Sequence, residues 1–221
     1  MTWPALLSPV RKFLGRVRRS FAVDHYDVFV RRVPVEIQVG VPEGYTFRWG
    51  SPKDIANCEE FHTELDERER REGAARLALG HRVVLGLHGE RVVFSMWVNP
   101  RCLNLPGILK RGLNPAQWFI YKAFTSPLHR GRKLYQCGMR FVLAEMRSAG
   151  LEELVGYAHV KKTVSRRGLA AVEFDDAGRL THILVPGFSW TRVSSRLDAR
   201  FPRSLARSHA LRMPVAGSGR P

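Results

Sequence analysis

The chain has 221 residues, 44% of them hydrophobic, and carries 36 Lys and Arg against 20 Asp and Glu, a net charge of +16. Such a content buries a real core and excludes a wholly disordered chain, and the length suits one domain with tails better than two domains. No apolar run approaches the roughly 20 residues of a membrane-spanning helix. Cys58, Cys102 and Cys137 lie far apart, without zinc or disulfide-framework spacing, so reduced thiols in a cytoplasmic protein are expected.

The basic residues gather at the ends. Residues 1–40 hold seven Lys or Arg against three acids, and residues 186–221 hold seven Arg against one. Trp3, Leu6, Leu7, Val10, Phe13, Leu14, Val17 and Phe21 recur at three- and four-residue steps, the stripe of an amphipathic helix. Pro4 and Pro9 confine a continuous helix to the part after Pro9. Arg11, Lys12, Arg16, Arg18 and Arg19 take much of the remaining surface. Such a stripe can dock on the body of the protein, lie on an anionic membrane or bind an acidic partner. Residues 1–40 are therefore read as a basic N-terminal segment.

Residues 41–195 read as one α/β domain. Tyr45–Trp49 is a short strand, and Ser51, Pro52 and Asp54 form a helix start, with Ser51 as N-cap. That helix is expected to run through Ile55, Cys58, Phe61 and His62, and a second, highly charged one to cover 65–79, with Gly80 as its cap. Two β-rich runs, 82–87 and 91–98, joined by His88-Gly89-Glu90, predict a hairpin. A loop is expected over 99–115, a strand over 117–125, a helix over 131–149 and a strand over 153–160. A short helix near 164–172 and strands over 180–185 and 189–193 complete the order. This succession predicts a mixed, mostly antiparallel sheet flanked by helices. Residues 196–221, rich in Arg, Ser, Pro and Gly, read as a solvated basic tail or a weak polyanion binder.

One junction carries chemistry. The strand ending in Thr125-Ser126-Pro127 is followed within three residues by Arg130-Gly131-Arg132-Lys133 and a long helix. A helix start aims unpaired backbone N–H groups at one place, and Arg130, Arg132 and Lys133 surround it with positive charge. Phosphate binds well at such a place. An ordinary basic turn gives the same spacing.

This stretch resembles the GNAT acyltransferase superfamily, in element order over about 45–193 and most closely over 118–174. In that family a strand leads into a turn of pattern Arg/Gln-x-x-Gly-x-Gly/Ala whose amides hold the pyrophosphate of acyl-CoA. The Arg falls on Arg130, while Lys133 and Tyr135 stand in place of the two glycines. Further on the family carries Asn-x-x-Ser and, nine residues later, the Phe of a Gly-Phe pair. Ser165 and Phe174 match, with Lys162 and Glu173 at the Asn and Gly positions. Leu169 stands in place of a Tyr that often serves the family as general acid toward the leaving thiolate, and Phe119 in place of a Glu base found in some members.

The resemblance implies a GNAT-like N-acyltransferase fold, most simply that of an N-acetyltransferase, binding acetyl-CoA or another acyl-CoA through Phe124, Thr125, Arg130, Gly131, Arg132, Lys133, Leu134 and Ser165. It implies direct attack of an amine acceptor on the thioester, with the carbonyl polarised by a backbone amide near Phe124 and Thr125. The expected acceptor is a small molecule bearing an amine, and the basic surface favours an anionic one such as a nucleotide sugar. Tyr121, two residues beyond Phe119 on the same strand face, and His159, at a strand end, are the candidates for proton transfer. Each also reads as a packed, hydrogen-bonded strand residue. Glu59, Glu60 and Glu64 sit where the family's first helices often line the acceptor pocket, and Cys137 reads as a small core residue. His62, His81, His88 and His129 show no metal spacing. The alternative is a GNAT-fold binding module without turnover, docking through its basic ends on a membrane, a protein partner or, lacking aromatics interleaved with the basic residues, less readily on nucleic acid.

Overall fold

The computed structural model describes residues 21–57 and 67–201. Ten strands occur among them: β1 (Ala22–Arg32), β2 (Tyr45–Trp49), β3 (Arg82–His88), β4 (Arg91–Asn99), β5 (Cys102–Leu105), β6 (Leu109–Gly112), β7 (Gln117–Thr125), β8 (Glu153–His159), β9 (Asp175–Val185) and β10 (Phe188–Val193). The α-helices are α1 (Pro52–Asn57), α2 (Glu67–Ala78), α3 (Leu134–Ser148), α4 (Thr163–Ala170) and α5 (Ser195–Arg200). Eight strands form one sheet in the order β10-β9-β1-β8-β7-β4-β3-β2, and β5 pairs with β6 apart from it. All pairings in the large sheet are antiparallel except β7 with β8. The expected mixed, mostly antiparallel sheet flanked by helices is thus present.

Period-two alternation sorts each strand between two cores. Trp118 and Ile120 of β7 and Leu154 of β8 face α3, whose Leu134, Met139, Val142, Leu143 and Met146 lie on one side of the helix. Phe119 and Val155 face the opposite way, against Leu103 and Leu105 of the β5–β6 hairpin and against Leu197 and Phe201. On that second face α1 and α2 cover Val83, Leu85 and Trp97 through Ile55 and Leu77. Gly138 lets α3 come close, since a Cβ there would sit 2.5 Å from the ring of Phe94.

The local signals for α1 and α2 are realised as chemistry. Asp54 N–H donates to Ser51 Oγ and Ser51 N–H to Asp54 Oδ2 at the start of α1, a reciprocal cap. Gly80, at φ 83, ends α2, with His81 N–H donating to Arg76 O. The part of the first helix expected beyond Asn57, with Cys58, Glu59, Glu60, Phe61, His62 and Glu64, lies outside the described residues, as does the stripe of residues 3–17.

Four differences from the sequence reading have physical causes. Residues 22–32, assigned to the N-terminal segment, form a strand inside the sheet between β8 and β9, where Val28 and Val30 are buried. The tail assigned from 196 begins as α5, whose Leu197 is buried with Phe201, while Arg200 pairs with Glu153. The stretch 99–115 is a hairpin rather than a loop, because Leu103 and Leu105 alternate inward onto the core. Helix α3 starts at Leu134 and not at Gly131, because Gly131 (φ 79) and Lys133 (φ 59) both take left-handed backbone angles. No helix among the described residues is long and apolar enough to cross a membrane.

Candidate active site

Strands β7 and β8 run together for only three pairs, Gln117–Glu153, Trp118–Leu154 and Phe119–Val155, and then part. Beyond Phe119, β7 stays bound to β4 while β8 follows β1. A bulge drives β7 aside: between the pairs Trp97–Tyr121 and Ser95–Phe124 stand two residues of β7 against Met96 alone. Lys122, one of the two, takes φ 49. The divergence opens a cleft of about 1000 Å³ through the sheet.

The turn between β7 and α3 closes one end of this cleft. Pro127–His129 makes one turn of 3-10 helix, and the chain then passes through the two left-handed residues into α3. The first backbone bond of α3 is Cys137 N–H to Lys133 O, so the amides of Leu134, Tyr135 and Gln136 precede the intrahelical ladder. Three unpaired amides and the helix dipole make this start a favourable anion position. Arg130 Nε donates to Thr125 O at 3.2 Å, tying the turn to the end of β7. Ser126 N–H is spent on Val93 O, so alternation directs the polar groups of Thr125 to the cleft side.

The expected binding residues are largely brought together. Phe124, Thr125, Arg130, Gly131, Lys133, Leu134 and Ser165 all line the cleft. Leu134 offers only its backbone, since its side chain is buried in the core. Arg132 does not line the cleft; its guanidinium lies over the ring of Tyr45, 5.9 Å from the centroid. Of the substituted pattern positions, Lys133 accepts a left-handed angle without being glycine, and Tyr135 lays its ring against α4. A Cβ on Gly168 would fall 2.6 Å from that ring. Burial pushes the Tyr135 phenol up to about 12. Phe174 is a core residue beneath α4.

On the other face of the parted strands the rings of Tyr121, Phe119, Tyr157, Tyr26 and His159 form a row, with successive centroids 5.6, 5.8, 6.1 and 5.0 Å apart. Tyr121 lines the cleft, and its hydroxyl lies 2.6 Å from His81 Nδ1. Burial first, then the nearby Arg76 and Arg101, hold His81 below the ordinary histidine range, so it is neutral at pH 7. His159 is held at both ring nitrogens. Lys161 N–H donates to Nδ1 at 3.1 Å, which leaves Nε2 to carry the hydrogen toward Asp24 Oδ1 at 3.0 Å. Burial and the Asp24 charge raise the pKa of Tyr26, and burial that of Tyr157. Cys137 is buried in α3 with its thiol pushed up by burial, as a core residue would be.

Asp24, Tyr26 and His81 were not singled out as site residues. Tyr26 and Asp24 belong to β1, which the helical stripe before it obscured. His81 reaches Tyr121 across 40 residues of sequence, and no local spacing announces that contact. Among the described residues no cluster of three or more His, Cys, Asp or Glu could hold a metal.

No protein-family model and no curated protein matches the sequence at a significant level. Solved structures do. A GCN5-related N-acetyltransferase from Sphaerobacter thermophilus is 16% identical with a TM-score of 0.55, over 82% of this chain and 58% of that one. A functionally unknown conserved protein from Staphylococcus epidermidis is 11% identical with a TM-score of 0.52, over 84% of this chain and 68% of that one. A tandem GNAT protein from the clavulanic acid biosynthesis pathway is 14% identical with a TM-score of 0.51, over 84% of this chain and 58% of that one. The chain spans less than two thirds of the first and third of these. At such identities the likeness is one of fold: the chain has the GNAT fold, the architecture of these acetyltransferases.

Proposed function

We propose that the protein is an acyl-CoA-dependent N-acyltransferase, most simply an N-acetyltransferase, with the donor seated in the cleft between β7 and β8. The observation that carries this reading is the junction of that cleft with the start of α3. A strand gap with exposed main-chain polar groups ends on three unpaired amides and the cations Arg130 and Lys133. A pantetheine arm needs the first and a pyrophosphate the second. The donor would supply an activated acyl group, passing from thioester sulfur to amine nitrogen with release of the thiol. The chain's part is to hold the carbonyl near the Thr125 main chain, exclude water and accept the amine proton.

The acceptor would enter from the face of the aromatic row, because α3 and α4 occupy the other. There Tyr121 is the group best placed to take a proton, its hydroxyl resting on neutral His81. The acceptor is then an amine-bearing small molecule, and Arg101 beside His81, together with the net charge of +16, suits an anionic one such as a nucleotide sugar. A GNAT-fold binding module without turnover is the second reading. One observation favours it: His159, the other expected proton carrier, is held at both ring nitrogens.

Calorimetric titration with acetyl-CoA and with CoA, at low and moderate salt, tests the proposal beside Arg130→Ala. Micromolar binding that tolerates salt and weakens about tenfold in the variant is expected. Absence of binding by either ligand would overturn the enzyme reading. Tight binding without acyl transfer to any amine in a broad acceptor panel would leave the binding module.

A further inference from the structure

The end of the sheet formed by β1, β9 and β10 carries a surface that acyl transfer does not use. β1 pairs with β8 only from Tyr26 onward, yet with β9 from Ala22, so the outer ends of β1, β9 and β10 project past the end of β8. Register places Val23, Ile183 and Trp190 side by side on one face, and Phe188 beside Val185 in the row beyond, toward Phe21. Phe21, Val23, Phe188 and Trp190 are between 50 and 64% exposed. This is the face that α4 covers further in, where Arg166 and Arg179 meet Asp27. At the projecting tip no described element covers it.

Charge surrounds the apolar rows in a definite pattern. The next row inward carries His25, Thr181 and Arg192, the first two joined by a hydrogen bond of 2.9 Å. In the sequence, Arg18 and Arg19 precede Phe21 by three and two residues. Three exposed aromatic side chains, Phe21, Phe188 and Trp190, on a narrow projecting tip, with Arg192 in the next row and no acid in these rows, match the boundary of an anionic bilayer. Aromatic rings settle there at the headgroup level while arginines meet the lipid phosphates. A protein partner of ordinary size would need a broader surface than three strand ends provide.

The geometry points to this tip as a peripheral membrane-docking surface, with Phe188 and Trp190 entering the interface of a bilayer rich in anionic lipid. The cleft mouth lies at the same end of β8, so docking would present the site to acceptors at the membrane. The surface stands independently of acyl transfer, and its failure would leave that reading untouched.

Flotation of the full chain with vesicles of phosphatidylserine and phosphatidylcholine, and with phosphatidylcholine alone, tests the docking. Binding to the anionic vesicles is expected, weakened about tenfold or more by Phe188→Ser with Trp190→Ser. Circular dichroism and melting of that variant establish that it is folded. A second readout keeps the native surface intact: brominated lipid should quench the native chain's tryptophan emission more than that of Trp190→Phe. Equal vesicle binding by the double variant, equal quenching in both proteins, or no binding would overturn the proposal. So would a dimer that the double substitution dissolves, found without vesicle binding, since a second copy would then cover the tip.

Discussion

Tyr121 Oη stands 2.6 Å from His81 Nδ1, and through this bond a residue that lines the cleft is coupled to one at the end of α2. The arrangement reverses the usual weighting of the two groups. The histidine is half-buried beside Arg76 and Arg101 and is held neutral. In the tautomer that carries its proton on Nε2, Nδ1 accepts from the phenol at 2.6 Å. If an acceptor ammonium gives up its proton there, His81 is the next station.

Removing either member should then slow transfer without disturbing donor binding. Tyr121→Phe is expected to lower kcat about a hundredfold, and His81→Gln about tenfold, since the amide still holds the phenol in place. Acetyl-CoA affinity should stay within about twofold in both. Thiol release with the best acceptor from a panel provides the rates. A Tyr121→Phe enzyme of undiminished kcat would assign the phenol to packing.

His81 also predicts a pH dependence of stability. Its folded pKa lies below the unfolded value, so between the two the unfolded chain binds a proton that the folded chain refuses. Stability therefore rises with pH across that window, is fully present above about pH 6.5, and is lost as pH falls through the folded pKa. Melting temperatures at pH 7 and pH 5 should differ less in His81→Gln than in the native chain. Identical differences would mean that His81 titrates alike in both states.

The turn at the start of α3 offers a paired test of backbone strain. Lys133 is left-handed with a Cβ, which costs about 1 kcal/mol, whereas Gly131 takes a similar angle without that penalty. Lys133→Gly should raise stability by about 0.5–1 kcal/mol and Gly131→Ala should lower it by about 1 kcal/mol, measured by denaturant unfolding. Lys133→Ala keeps the Cβ and should show no gain. Donor affinity should move oppositely in Lys133→Gly, because a cation is lost beside the phosphate position.

Much of this architecture was legible because the signals were local. Ser51, Pro52 and Asp54 announce a helix start, Gly80 a helix end and Gly89 a hairpin, and each does what its chemistry dictates. The strand-to-helix junction at Thr125–Leu134 was legible for the same reason, and of the binding residues expected there all but Arg132 line the cleft. What escaped depends on partners distant in sequence. β1 follows directly on an amphipathic stripe, and only its neighbours β8 and β9, more than 100 residues later, make it a strand. Phe201 lies in a stretch with the composition of a tail, and its burial against β1, β7 and the β5–β6 hairpin is a tertiary fact. The bulge at Lys122 has no Gly to mark it.

Tyr135 and Gly168 decide how far this chain departs from a glycine-lined cofactor turn. The ring of Tyr135 occupies the space that a side chain at 168 would need, and both residues line the cleft. Gly in a helix costs about 1 kcal/mol relative to Ala, so its presence in α4 implies a compensating need for room. In the native chain Gly168→Ala should destabilise by about 1–3 kcal/mol, because the ring must move. In a Tyr135→Ala background the same change should stabilise by up to about 1 kcal/mol, through helix propensity alone. The reversal of sign between backgrounds, read from unfolding curves of the four proteins, is the expected result. Acetyl-CoA titration of the same set then locates the donor. Gly168→Ala alone, by pressing the ring into the cleft, should weaken binding, and the double variant should recover it. Affinity that ignored all three changes would place the donor away from α4 and leave Ser165 without a role.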